Sequence, residues 1–354
     1  MSPKHLNIDG VGRVALAVLA TIVVGVAVVQ LRVILEPLIL ALFLAVVIDA
    51  LARLIGRLAP RLPRLGALVL AFLLAGAALA LVLYWASYNA ERFILRLAAD
   101  RHRIDILMAR LGPGLGLHSI PTVKDLLRAL HIGRHLAGVA RGLTGLLGQG
   151  LLVLLYLVFL FGSRDGLERK ARGLFGSDER REQARAVVIR IRTGMERYLR
   201  VQSLLALITA GASYGLMLAV GLDDAGFWAL LVFLAAFVPI IGGAVGIALP
   251  PLFALIQFDG VWQAVVLAAG AESIHIIVGN VVAPRLQGAS LNIDPLVVVI
   301  SLGFWGLAWG PLGMFLSTPL TVTAIIVLSQ FHPVRWIAVL LSGDGRPDPH
   351  EAPA

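Results

Sequence analysis

Long apolar runs separated by short polar turns dominate the chain. They lie at about Val14–Leu31, Pro37–Leu51, Leu65–Tyr88, Gly148–Phe161, Val201–Val220, Phe227–Phe258, Val261–Ala283 and Pro295–Leu328. Several runs exceed the roughly 18 apolar residues that a helix needs to cross a bilayer core of about 30 Å. The pattern predicts an all-α, polytopic helical membrane protein with about eight transmembrane segments.

Composition supports this class. Of 354 residues, 59% are hydrophobic and only 14% are charged, whereas about a quarter of the residues in soluble domains are charged. The absence of Cys excludes disulfides, thiolate catalysis and Cys-based metal sites. No basic stripe is interleaved with aromatic residues, so the net charge of +9 indicates membrane topology signals and no nucleic-acid partner.

The distribution of Lys and Arg predicts the orientation. Residues 53–64 carry four and residues 163–200 carry eleven, which places both segments and the two termini in the cytoplasm. The N-terminal half is predicted to contain transmembrane segments 1 to 3 (1–88), an extracytoplasmic amphipathic helical insert (89–147) and transmembrane segment 4 (148–162). A cytoplasmic amphipathic helix follows (163–200). The C-terminal half is predicted to contain two repeats of a span plus a hairpin (201–260 and 261–331) and a cytoplasmic tail (332–354).

The cytoplasmic segment contains a helix with one apolar seam. Ser177 is the predicted N-cap, and the seam consists of Ala184, Val188, Ile191, Met195 and Tyr198. Two interpretations stay open. The seam packs on the protein's own membrane domain, or it contacts another subunit of a homo-oligomer.

Two apolar stretches are broken by Gly and Pro in corresponding places. They read "FVPIIGGAVGIALPPL" at 237–252 and "FWGLAWGPLGMFLSTPL" at 304–320, and Gly243 and Gly246 of the first align with Gly310 and Gly313 of the second. The predicted orientation of the neighbouring spans requires each broken stretch to begin and end on the same side of the membrane. We therefore predict two hairpins that enter from opposite faces, with bends at Gly242-Gly243 and Gly310-Pro311. Transporters use such inverted repeats to place free backbone groups near the midplane. The alternative is that these residues merely kink ordinary spans for packing.

Few ionisable residues lie within the apolar runs. Glu272 and His275 are one helical turn apart, with Asn280 close by. They form either a structural hydrogen-bonded pair or a solute or proton site. No second Glu-x-x-His copy supports a metal site, and no nucleophile–base pair or phosphate-binding loop is present, so we predict no metal, no cofactor and no enzymatic activity.

Other polar residues are interpreted as structural. Glu36 precedes Pro37 at a predicted helix start. Asp49 and Arg53 are placed for an i, i+4 ion pair. His131 and His135 lack the Glu of a zinc-protease motif and are assigned to the surface.

The segment "GNVVAPRLQGASLNIDPLVVVISLGFWGLAWGPLGMFLSTPLT" at 279–321, with "ERYLRVQSLLALITAG" at 196–211 and "FVPIIGG" at 237–243, resembles the autoinducer-2 exporter family of permeases. The resemblance implies a multi-pass bacterial inner-membrane permease, with relatives linked to autoinducer-2 export or to sodium/proton antiport. The matching positions are Pro239, Gly242, Asn280, Pro284, Gly288, Pro295, Gly306, Gly310, Gly313 and Pro319. Many members have Asn on either side of the hairpin proline and Glu before the later one, whereas this chain has Ala236, Ile240 and Ala283.

The resulting functional expectation is a permease that exports a small solute, autoinducer-2 or a related polar metabolite, by an elevator-like alternating-access motion. The alternatives are a monovalent cation/proton antiporter and a non-transporting membrane scaffold. The expected partners are a small molecule or ion, the lipid bilayer and further copies of the chain. The predicted substrate pathway comprises Pro239, Gly242, Gly243, Gly246, Glu272, His275, Asn280, Pro284, Gly306, Gly310, Pro311, Gly313 and Pro319.

Overall fold

A computed structural model describes residues 25–99, 150–163, 177–287, 292–331 and 334–346, with isolated positions before residue 25 and between 163 and 177. Most of the predicted insert, including His131 and His135, lies outside the described residues, as does Gly288. Every regular element in the described part is helical. The helices are α1 (Arg32–Leu58), α2 (Arg64–Ala99), α3 (Gly150–Gly162), α4 (Asp178–Val220), α5 (Ala225–Ala235), α6 (Ile241–Gln257), α7 (Trp262–Ile277), a π-helical turn (Val278–Val282), α8 (Ala283–Gln287), α9 (Pro295–Ser329) and α10 (Arg335–Leu341).

The described helices have the lengths and surfaces expected in lipid. Five helical segments of the described part are long and apolar enough to cross a membrane: α1, α2, α4, α9 and the continuous run Trp262–Leu286. Three shorter apolar helices accompany them. Large apolar side chains face outward along these helices; Leu307, for example, is 89% exposed. In water such a surface would be strongly unfavourable. The chain is an all-helical polytopic membrane protein.

Helix α4 joins two elements that the sequence pattern separates. It runs without interruption for 43 residues, or about 65 Å, so the predicted cytoplasmic helix continues directly into the predicted span at Val201. The predicted cap at Ser177 is confirmed, because its side chain accepts a hydrogen bond from the Arg180 N–H at 3.4 Å. Gly221 ends the helix in the left-handed conformation, with φ of 80°.

Among the described residues, the apolar seam of α4 packs on the protein's own helices near Gly194 and Tyr198. Tyr198 is buried and hydrogen-bonds to Thr318 of α9. A Cβ built on Gly194 would lie 3.7 Å from Ile326. Val188, two turns earlier on the seam, is 64% exposed.

The predicted helix start at Glu36-Pro37 is wrong. Helix α1 begins at Arg32, after a turn at Leu31, and Pro37 lies inside it. Proline is tolerated within membrane helices because neighbouring groups satisfy the backbone that it leaves unpaired.

Four charged side chains connect α1 to α4. The buried Asp49 pairs with Arg53 at 2.5 Å, which confirms the predicted i, i+4 ion pair, and also with Arg192. Glu196 accepts from the same two cations, at 2.6 Å from Arg53 and 2.9 Å from Arg192. Each cation therefore contacts both carboxylates, and the cluster joins the N-terminal helices to α4.

Replacing Asp49 with Asn is expected to lower the free energy of unfolding by about 2 kcal/mol, since two partly buried cations lose a charged acceptor. The matched control is Glu182→Gln, which removes an exposed pair with Arg185 at 4.0 Å and should cost less than about 1 kcal/mol. Denaturant unfolding in detergent would measure both. Equal effects would show that the cluster does not join the helices.

Candidate functional site

The first broken stretch is a helical hairpin. Helices α5 and α6 are connected by residues 236–240. A Cβ on Gly246 would lie 3.5 Å from Val232, and one on Gly242 would lie only 2.6 Å from the Ala235 carbonyl oxygen. The two arms therefore lie side by side, and at Gly242 they approach so closely that only glycine fits.

The bend of this hairpin precedes the predicted Gly242-Gly243 position. It is a γ-turn centred on Ile240, with φ of 67° and ψ of −50°, in which the Ile241 N–H donates to the Pro239 carbonyl at 2.7 Å. Positive φ is strongly disfavoured for a β-branched side chain, and this form of the γ-turn is strained. The first bend is thus formed by a strained isoleucine rather than by the glycines.

Replacing Ile240 with Gly is expected to raise the free energy of unfolding by about 1 kcal/mol, because relief of strain exceeds the entropy that glycine adds to the unfolded chain. The side chain is 61% exposed, so little packing is lost. Ile241→Gly, at the next position, is the control and should destabilise the protein, because Ile241 is helical. Destabilisation by both changes would contradict the strained turn.

The second broken stretch is also a hairpin, and it bends where the sequence predicts. Gly310 interrupts α9 with φ of 64° and ψ of −144°. A Cβ on Gly313 would lie 1.9 Å from the Trp305 carbonyl oxygen, and one on Gly306 would lie 2.9 Å from Met314. Residues eight positions apart are about 12 Å apart along a straight helix. The chain therefore folds back on itself at Gly310.

The first bend contacts one arm of the second hairpin through aromatic rings. Phe237, in the first bend, lies 5.4 Å centroid to centroid from Phe315, on the second arm of α9. Phe315 also packs edge-on against Phe43 of α1 at 5.9 Å. The contact point of the hairpins is thus adjacent to the N-terminal helices.

Polar groups line the first bend. The Gln202 side chain of α4 donates to the Ala236 carbonyl at 2.5 Å. His275 lies against the start of α6, since a Cβ on Gly243 would be 2.7 Å from its Nε2. A side chain at position 243 would displace the imidazole from the bend.

Glu272 does not form the hydrogen-bonded pair with His275 that was one interpretation of the sequence. In the described part of the chain its carboxylate has no hydrogen bond or ion pair, and the residue is exposed on a span-length helix. A carboxylate at membrane depth is unfavourable against lipid and normally faces water or a polar partner.

The remaining predicted residues divide between the bends and the outer surface. Asn280 and Pro284 are exposed, and the Asn280 side chain donates to the Ile276 carbonyl of its own helix at 3.1 Å. The π-helical turn that contains Asn280 is of a kind frequent at functional sites. Pro311 is exposed beside the second bend, whereas Pro319 is buried.

Three residues at the bends were not among the predicted site residues: Gln202, Phe237 and Phe315. Gln202 could have been predicted from the sequence, because it is a polar residue near the start of an apolar run. The two phenylalanines carry none, since aromatic residues are common in apolar helices.

The sequence is similar to those of known transport proteins. Residues 16–332 match the family described as AI-2E family transporter. The AI-2 transport protein TqsA of Escherichia coli (strain K12) is 29% identical over 316 residues, covering 87% of this chain and 89% of the relative. YhhT of the same strain is 30% identical over 319 residues, covering 89% of each chain. The chain belongs to the AI-2E family of transporters.

Proposed function

We propose that this protein is a bacterial inner-membrane permease that moves a small solute by alternating access between two hairpins. The observation that carries the proposal is the contact between the two hairpins at Phe237, in the first bend, and Phe315, on the second arm of α9. Broken helices are tolerated at membrane depth only where protein buries them or a wet cavity meets them. A contact between two such helices is a natural place for a solute to reach backbone groups.

Chain connectivity supports opposed entry of the hairpins. The first hairpin returns through residues 258–261 to the N-terminal end of α7, and the second begins after α8. Between these points the helical segment Trp262–Leu286 contains 25 residues, or about 37 Å, enough to cross the bilayer. Hairpins that start at opposite ends of one span enter from opposite faces, as in inverted-repeat transporters. With the basic segments inside, both termini are cytoplasmic.

The first bend offers a small polar solute two side chains for hydrogen bonding. Gln202 and His275 offer hydrogen bonds, whereas Ala236 and Ile240 offer no side-chain polar groups. A similar relative is named for AI-2 transport, so autoinducer-2 is the first candidate, and related small polar metabolites are the next.

One observation favours a second function, exchange of a monovalent cation for protons. Glu272 is an exposed, unpaired carboxylate within the described part of the chain and lies on a membrane span. Such a group can carry a proton or a cation between the two sides.

The elevator-like form of the motion can be tested by two cross-links that share a residue. The natural chain contains no Cys, so Phe43→Cys with Phe315→Cys links α1 to the second hairpin. Phe237→Cys with Phe315→Cys links the two hairpins to each other. With a short bifunctional thiol reagent, solute flux in liposomes should stop for the first pair and continue for the second.

The reduced, unlinked variants serve as controls for each substitution. Equal inhibition by both links would indicate movement of the hairpins against each other. Undiminished solute flux in the protein cross-linked between positions 43 and 315 would reject movement of the repeats past α1.

A further inference from the structure

A cavity of about 460 Å³ lies where α1, α2 and α4 meet, away from the hairpins. Its apolar wall is formed by Ala52, Gly56, Leu62, Ala67 and Leu68, and its polar wall by Asp49, Arg53, Arg64 and Arg192. The volume is within the range of roughly 300–1,000 Å³ that is typical of small-ligand sites.

The charges around this cavity do not balance. Asp49 and Glu196 pair with Arg53 and Arg192, so these four side chains are neutral together. Arg64 has no hydrogen bond or ion pair with any described residue. Among the described side chains, its guanidinium is thus a positive charge on the wall without a compensating carboxylate.

The cavity also lies at one end of two span-length helices, where lipid headgroups are expected. It adjoins the turn between α1 and α2, which are both long and apolar enough to span the membrane. Residues 53–64 contain four Arg and no acidic residue. Leu58 and Leu65, at the two sides of the turn, are 78% and 74% exposed, and they extend the apolar surface toward the acyl-chain region.

We propose that this cavity binds a phosphate group, supplied by an anionic phospholipid of the adjacent leaflet. Arg64 would hold the phosphate, since guanidinium matches phosphate oxygens in a bidentate geometry. Basic pockets between the ends of membrane helices are typical sites for anionic headgroups. The acyl chains would lie along the exposed leucines. A lipid in this position would contact α1, α2 and α4 together.

The test compares purified full-length protein and its variants in detergent containing equal amounts of phosphatidylglycerol and phosphatidylethanolamine. Native mass spectrometry counts the retained lipid. The parent protein should retain phosphatidylglycerol preferentially, and Arg64→Gln should reduce that retention about fivefold. The matched control is Arg57→Gln, an exposed arginine near the same turn that does not line the cavity. Its loss should be much smaller.

Competition identifies the source of the phosphate. Short-chain phosphatidylglycerol should displace the retained lipid, whereas inorganic phosphate and glycerol phosphate at the same concentration should not. Equal retention of both lipids by the parent, or equal losses in the Arg64 and Arg57 variants, would overturn the site. Displacement by inorganic phosphate as effective as by the short-chain lipid would overturn its assignment to phospholipid.

Discussion

Replacing Gly313 with Ala is expected to open the second hairpin and abolish transport. The added Cβ would lie 1.9 Å from the Trp305 carbonyl oxygen and 2.7 Å from its carbon, and no side-chain rotation moves Cβ away from a backbone carbonyl. Overpacking of this severity costs about 3 kcal/mol or more. Thermal unfolding in detergent and solute flux in liposomes would measure the two effects.

Gly303→Ala is the matched control for this substitution. It lies on the first arm of the same hairpin, where a Cβ meets nothing within 4 Å. Because alanine is about 1 kcal/mol more favourable than glycine inside a helix, this variant should keep its flux and gain slightly in stability. A Gly313 variant that behaves like the Gly303 variant would show that the arms are not in contact.

Replacing Glu272 with Gln is expected to reduce the rate of transport at least about tenfold. This corresponds to an increase of roughly 1.4 kcal/mol in the activation free energy of the rate-limiting step. The carboxylate is exposed on a span and has no partner among the described residues, so it does not contribute to stability through pairing. Flux should therefore fall while the unfolding temperature stays unchanged. Ser273→Ala, an exposed neighbour whose hydroxyl donates to the Ala269 carbonyl of its own helix, should retain normal flux.

The form of the Glu272 defect distinguishes the two candidate functions. In a cation/proton antiporter, the Gln variant should lose exchange at every pH, and the Asp variant should restore it. In a solute permease, the Gln variant should weaken solute binding and leave the pH profile of the residual flux unchanged. Normal flux in the Gln variant would remove Glu272 from the pathway in both cases.

The second hairpin could be predicted from the sequence more accurately than the first. Gly310 is followed by Pro311, and glycine is the residue that adopts a positive φ without strain, so the bend is visible in the pattern. At the first bend the positive φ belongs to Ile240, a residue that indicates the opposite conformation. The residues with positive φ at the two bends are therefore Ile240 and Gly310. This pairing differs by three residues from the alignment of Gly243 with Gly310.

Contacts between distant segments account for the other differences. The pair between Asp49 and Arg53 is local and follows from helical spacing, whereas the pair between Asp49 and Arg192 is set by tertiary packing. The sequence pattern did not predict that α4 continues through Val201, because the apolar positions change there from a single seam to all faces of the helix. That change occurs within one continuous helix and not at the junction of two.

The central claim, two hairpins entering from opposite faces, is tested most directly by labelling single cysteines at their bases in the naturally cysteine-free chain. Asp259→Cys lies in the loop that ends the first hairpin, and Gln330→Cys lies at the end of the second; both positions are exposed. With a membrane-impermeant maleimide, the first should react only from the periplasmic side and the second only from the cytoplasmic side. Reaction of both from the same side would contradict the inverted repeat.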